Sequence, residues 1–166
     1  MIEVEVAHLG LDRHTNTPVV ILREKDGSRV LPIWIGAPEA NAIAMEMQGA
    51  KAPRPLTHDL LKQVLTGLGG TLQRVLISSV KDNTYFAELL ISRADELVQV
   101  DARPSDSIAL ALRVQAPIYA SEALFEPSAA ESSEPRSPEP GSTLDAETLR
   151  QHLEKLDPQD FGRFTP

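Results

Sequence analysis

Three runs with strand-like alternation, followed by one stretch with helical spacing, occur twice along this chain, and that repetition constrains the fold more than any single residue. In the first set, residues 2–9 put Ile2, Val4 and Val6 on one side and Glu3 and Glu5 on the other, with His8 at the rim. A polar connection, Asp12 to Thr17, leads to a second strand at 18–22. A third at 29–35 follows through Glu24 to Ser28, where Asp26-Gly27 supplies the chemistry of a tight turn. Pro32 cannot donate to a ladder, so this third strand suits an edge or a bulge. A helix opens at Gly36–Glu39, carries the stripe Ala40, Ile43, Ala44 and Met47, and stops at Gly49. The second set predicts strands at 71–80, 84–91 and 96–101, with the first two joined at Lys81-Asp82-Asn83. Its helix carries Ile108, Ala111, Leu112 and Gln115 at i, i+3, i+4, i+7. Residues 38–45 and 104–110 align with one residue of slippage, which reads as an internal duplication of a β-β-β-α unit. A further helix beginning at Thr57 is inserted between the copies. Hairpins outnumber helices, so the expected class is α+β with a mainly antiparallel sheet, rather than doubly wound α/β. A short strand at 117–120 and a turn of helix at 121–125 complete this part.

After residue 126 the composition changes. Residues 127–142 are rich in Pro, Ser and Glu without apolar periodicity, which predicts a disordered linker. Residues 143–166 form a short tail in which Leu149, Leu153 and Leu156 mark one face of an amphipathic helix. The expected organisation is therefore a domain at 1–126, the linker, and the tail. Cysteine is absent from all 166 residues, which excludes disulfides and thiolate metal sites and makes a cytoplasmic address the expectation. No apolar run has membrane-spanning length, and Met1-Ile2-Glu3 lacks the basic start of a signal peptide. The net charge of −8 argues against the broad basic footprint of an ordinary nucleic-acid binder, so any such role must rest on a local basic cluster or on metal ions.

Two stretches gather chemistry. In Lys51–Asp59, Thr57 is placed to cap a helix, Leu56 and Leu61 stand at staple positions, and Leu61, Val64, Leu65 and Leu68 form the stripe before Gly69-Gly70. His58 and Asp59 then lie in the first turn, beside Arg54 and Lys51. The functional reading is a phosphate-binding helix end with a proton-transfer or metal-binding group; the structural reading is a capped helix with a solvated basic loop. In Asp101–Asp106 a strand gives way to a helix, with Pro104 before it, Ser105 as cap and Asp106 at the positive end of the dipole. Structurally, Asp101 ends the strand, Arg103 pairs with it, and Asp106 serves the dipole.

The blocks Leu31–Gly36, Glu39-Ala40, Arg54–Leu61 and Asp101–Asp106 with Ile108–Leu110 resemble the signature blocks of the bifunctional nuclease family, over roughly residues 1 to 126. The resemblance implies a compact α+β domain that associates with copies of itself and cleaves both DNA and RNA. Phosphodiester hydrolysis needs an activated water, neutralisation of charge on phosphorus and help for the leaving oxygen. If the fold gathers the helix starts, His58, Asp59, Asp101 and Asp106 form the catalytic set. Asp59, Asp101, Asp106 and Glu39 would hold Mg²⁺ or Mn²⁺, while Lys51, Arg54 and Arg103 bind phosphate. No ordered motif with diagnostic metal spacing is present. The alternative is a non-enzymatic interaction or anionic-ligand-binding domain, which the acidic charge and an aromatic content of only 4% favour. Self-association is expected through sheet edges or helix faces, with Leu31–Ile35 and its Trp34 as the candidate strand.

Because residues 127–142 can bury little apolar surface, a protein truncated after Glu126 is expected to keep one cooperative thermal transition. Loss of that transition in calorimetry would make the tail part of the core.

Overall fold

The computed structural model describes residues 1–125; the expected linker at 127–142 and the tail with its Leu149, Leu153 and Leu156 face lie outside the described residues. The alternating runs form β1 (Ile2–Asp12), β2 (Thr17–Glu24), β3 (Val30–Trp34), β4 (Gly70–Lys81), β5 (Thr84–Arg93), β6 (Glu96–Ala102) and β7 (Ile118–Ala120). The helices are α1 (Ala37–Met47), α2 (Thr57–Gly67) and α3 (Pro104–Val114), with a 3-10 turn at Glu122–Phe125. Among the described residues the strands make one sheet in the order β3-β2-β1-β7-β4-β5-β6. All neighbours are antiparallel except β4 and β7. This is the expected α+β class. The order β-β-β-α recurs on either side of α2, and descent of the two halves from one unit remains a reading of the sequence. No helix among the described residues is long and apolar enough to cross a membrane.

Turn chemistry sets the registers. Asp82 and Asn83 both adopt positive φ, 48° and 58°, the geometry that matches the twist of two antiparallel strands, and Lys81 then faces Thr84. Asp12 receives the N–H of His14 at 2.9 Å and so turns β1 into β2. Cross-strand neighbours such as Val20 with Ile33, Leu22 with Leu31, and Ile77 with Ala87 and Ala120 carry the apolar residues to one face. There they form a single core with Ile43 of α1 and Ile108, Ala109, Leu110 and Ala111 of α3. α3 is buried nearly all round, as expected of a helix at the centre of a layer.

The two edges differ. Pro32 lies on β3 at one edge, where a missing N–H does no harm. At the other edge the alternation of 96–101 does not produce a half-buried strand: Leu97, Val98 and Val100 of β6 are all exposed, because no described element covers either face there.

The helix starts also differ from expectation. Thr57 is the first residue of α2 rather than its cap, and the N-cap position falls to Leu56, whose N–H is received by Asp59 Oδ2 at 2.9 Å. Ser105 lies inside the first turn of α3, with Arg103 at its N-cap position. Met47 is exposed, and Ala42 is buried in its stead. Gly49 follows α1 with φ +65°, as a helix stop requires. The largest departure is α2, whose expected inward stripe is turned out: Leu61, Val64 and Leu68 are exposed, Leu56 and Leu61 form no buried staple, and only Leu65 packs on the core. The polar side faces the domain because it has specific partners there. Arg113, almost fully buried on α3, donates from Nε to Asp59 Oδ1 at 2.6 Å. Its Nη1 donates to the carbonyls of Ala42 in α1 and Ala109 in α3, at 3.1 and 2.9 Å. Lys62 Nζ donates to the Arg113 carbonyl at 2.7 Å.

One guanidinium thus joins all three helices. Asp59→Ala, which strands the buried Arg113 charge, should cost about 3 kcal/mol in urea unfolding. Arg113→Met, which removes the charge together with its bonds, should cost less. The reverse order would place the stabilisation in side-chain packing instead.

Candidate functional site

Three helix starts meet. Glu39 is the third residue of α1, Asp106 the third of α3 and His58 the second of α2, so each stands among the free N–H groups of a first turn. Pro38 and Pro104 in the first turns of α1 and α3 fix φ where the N–H is not needed, which aims the carboxylates that follow them. Arg103, just before α3, donates from Nη2 to Glu39 Oε1 and from Nε to Asp106 Oδ2, both at 2.7 Å. The other oxygen of Asp106 lies 3.0 Å from His58 Nε2. The result is a continuous chain, Glu39 to Arg103 to Asp106 to His58. Side-chain exposure falls from the open Arg103 at 66% through Asp106 at 30% to His58 at 11%, while Glu39 at the other end is at 15%.

The charges follow from these contacts. Burial raises the Asp106 carboxyl, but the bonds to Arg103 and His58 outweigh it and hold the group below 3.8. The Leu56 N–H and Arg113 lower Asp59 in the same way. Asp106 and Glu39 in turn keep the Arg103 guanidinium more firmly protonated. An ionised Asp106 can only accept, so Nε2 of a neutral His58 carries the proton and Nδ1 carries the lone pair. Nδ1 has no hydrogen-bond partner among the described residues, and no buried side-chain nitrogen or oxygen there lacks one, so Nδ1 reaches the surface. An oriented imidazole with its basic nitrogen turned outward is what general-base catalysis requires.

The structure brings together His58, Asp106, Arg103 and Glu39, with Asp59 one residue along α2 but turned to Arg113. It leaves Asp101 apart. That residue is exposed on β6, facing Glu88 of β5, and Arg103 pairs with Asp106 and Glu39 instead of with it. Lys51 and Arg54 are exposed in the segment before α2 and have no ion pair or hydrogen bond among the described residues. The expected metal set of Asp59, Asp101, Asp106 and Glu39 does not converge. No group of three His, Asp or Glu able to hold an ion exists among the described residues, and arginines already occupy three of the four carboxylates. This donor arrangement does not fit Mg²⁺ or Mn²⁺. Sequence reasoning missed Arg113 and Lys62. A lone arginine in the apolar run 108–114 was the available signal, since a charge on a buried helix must have partners.

Comparison with known proteins adds the context. A family model described as the bifunctional nuclease domain matches residues 20–133. An uncharacterized protein of Mycobacterium tuberculosis (strain ATCC 25618 / H37Rv) is 40% identical over 162 residues, covering 96% of this chain and 97% of its own. Bifunctional nuclease 1 of Arabidopsis thaliana is 29% identical over 111 residues, 64% of this chain and 34% of that protein. Bifunctional nuclease 2 of Oryza sativa subsp. japonica is 28% identical over the same length, again with 34% of its chain covered.

Both Asp59 and Asp106 titrate lower folded than unfolded. Their contribution to stability is therefore complete above the ordinary carboxyl range near 3.8 and is lost as pH falls through the folded values. Thermal unfolding between about pH 5 and about pH 2 should show a shallower acid-side loss in Asp59→Asn and Asp106→Asn than in the wild type. Parallel acid limbs in all three proteins would assign that loss to other groups.

Proposed function

The chain belongs to the bifunctional nuclease domain family, and from that premise we propose that it hydrolyses phosphodiester bonds of DNA and RNA, with His58 as the group that moves the proton. The observation that carries this reading is the 3.0 Å contact between Asp106 and His58 Nε2, which leaves Nδ1 outward as a base. Nδ1 takes a proton from water as its oxygen attacks phosphorus, the bond from phosphorus to the leaving oxygen breaks, and the imidazolium returns a proton to that oxygen. Asp106 stabilises the imidazolium formed between the two transfers. Arg103, fixed at one edge by two carboxylates, and the open Arg54 and Lys51 supply positive charge for the phosphate. These few cations stand in an acidic protein, so binding is local and weakens with salt. Self-association and a cytoplasmic address belong to the same reading; the absence of cysteine supports the latter.

One observation favours a second reading. Arg103 is already bound by two carboxylates and His58 is nearly buried, which is also how a lock between helix starts would look in a non-enzymatic, anion-binding domain.

Purified wild type, His58→Ala and Asp106→Asn would be compared on single-stranded DNA and on RNA, with Mg²⁺, with Mn²⁺ and with chelator. His58→Ala should reduce cleavage roughly 10²- to 10⁴-fold, the range of a lost general base. Asp106→Asn should reduce it by freeing the imidazole to adopt the other tautomer. Cleavage by the wild type should persist in chelator. Equal cleavage by all three proteins would leave the lock between helix starts as the role of these residues.

A further inference from the structure

The only tryptophan of the chain stands on the face of the sheet turned away from the helices. Leu31 and Ile33 of β3 point into the core, so Trp34, next in the alternation, points to the opposite face, in one row with Val19 of β2 and Gly10 of β1. Asp12 lies two residues beyond Gly10 on that same face. Its Oδ2 accepts from Trp34 Nε1 at 3.1 Å, so the indole reaches across β2 and is held there. Val19, in the row between, is buried although it faces away from the helices, which the ring above it explains. Trp34 itself keeps 51% of its surface open to water, and a methyl group at Gly10 would meet nothing within 4 Å. The ring is thus a fixed flat surface with one side on the sheet and open space beside it. The other oxygen of Asp12 accepts the N–H of His14 and so shapes the turn that carries Arg13. Arg13 and His14 are exposed, and neither side chain has a partner among the described residues. One carboxylate therefore fastens an aromatic ring on one side and a basic turn on the other.

We infer that Trp34 is a stacking platform for an unpaired base of single-stranded nucleic acid, with Arg13 as the contact for its phosphate. Shape and charge choose the occupant. A pinned ring beside a bare strip of backbone and an unpaired cation suits a planar ligand that carries negative charge, which is what each nucleotide of a single strand presents. In a duplex the base faces lie stacked on one another and cannot reach the ring. β3 is the edge of the sheet and runs through Ile35 and Gly36 into α1, so Trp34 and Glu39 lie within about 15 Å of each other. A strand with a base on Trp34 can pass round that edge and bring a nearby phosphate to Arg103 and His58. The inference rests on the nuclease reading for its ligand. It adds a preference for single strands and a residue that grips the substrate away from the reacting centre.

All indole emission comes from Trp34, which makes the test direct. Full-length wild type is titrated with phosphorothioate-linked decathymidylate, which resists cleavage, and with a long duplex at the same nucleotide concentration. Emission should be quenched as the single strand binds, and far less by the duplex. By anisotropy of the labelled oligonucleotide, Trp34→Leu should bind roughly 5- to 150-fold more weakly, and Trp34→Phe, which keeps an aromatic face, should lose less. Arg13→Ala should weaken binding and lower its salt slope by about 1. Should Trp34→Leu fail to fold, the quenching of the unmutated ring decides by itself. No binding, binding that leaves the indole unquenched, wild-type affinity in folded Trp34→Leu, or equal quenching by the duplex would each overturn the inference. So would a blue shift of the emission with protein concentration alone, which would mean that a protein surface covers the ring. Cleavage of an ordinary oligonucleotide without quenching overturns the platform and leaves the hydrolase; quenching without cleavage does the reverse.

Discussion

The arrangement of the helices depends on one buried guanidinium. Arg113 sits in the apolar run 108–114 of α3, and a charge buried there is tolerable only if it is paired and hydrogen-bonded. Asp59 answers from α2, the Ala42 carbonyl from α1, and the Ala109 carbonyl from its own helix. Lysine could not take its place, because a single ammonium cannot reach three fixed acceptors on three helices as a planar fork does. This requirement fixes the rotation of α2 about its own axis. Asp59 has to face α3, and His58, its neighbour in the first turn, is carried to within reach of Asp106.

That rotation explains what was legible in the sequence and what was not. Local rules placed the strands, the Asp82-Asn83 turn, the edge position of Pro32 and the helix stop at Gly49, because each depends on neighbouring residues alone. The same rules singled out His58, Asp106, Arg103 and Glu39 as chemical groups at helix starts. They misjudged α2, since a stripe of Leu61, Val64, Leu65 and Leu68 looks inward to any argument from periodicity. Three polar contacts to α3 outweighed it, and none is visible without the third dimension. Asp101 failed for a related reason. It is two residues from Arg103, but Arg103 is aimed by the start of α3 and Asp101 by the pleat of β6.

The contacts that hold the helix starts together along Glu39, Arg103, Asp106 and His58 are the same ones that the proposed chemistry would use. They neutralise two carboxylates that would otherwise repel where three helix starts converge, and they fix the tautomer of an imidazole. Arg103 is the counter-charge to both carboxylates, so this positive charge is part of the chain itself.

The sheet order has a consequence for how the protein is made. The antiparallel sets β1–β3 and β4–β6 can each form from hairpins of near neighbours, but among the described residues they join edge to edge only through β7. Ala120 pairs with Ile2 on one side and Ile77 on the other, and Ser121 donates to the Ile77 carbonyl at 2.9 Å. A nascent chain emerging from the ribosome therefore cannot close its sheet until residue 120 has cleared the exit. Up to that moment it carries two half-sheets with open central edges, the kind of exposed pairing surface that chaperones guard.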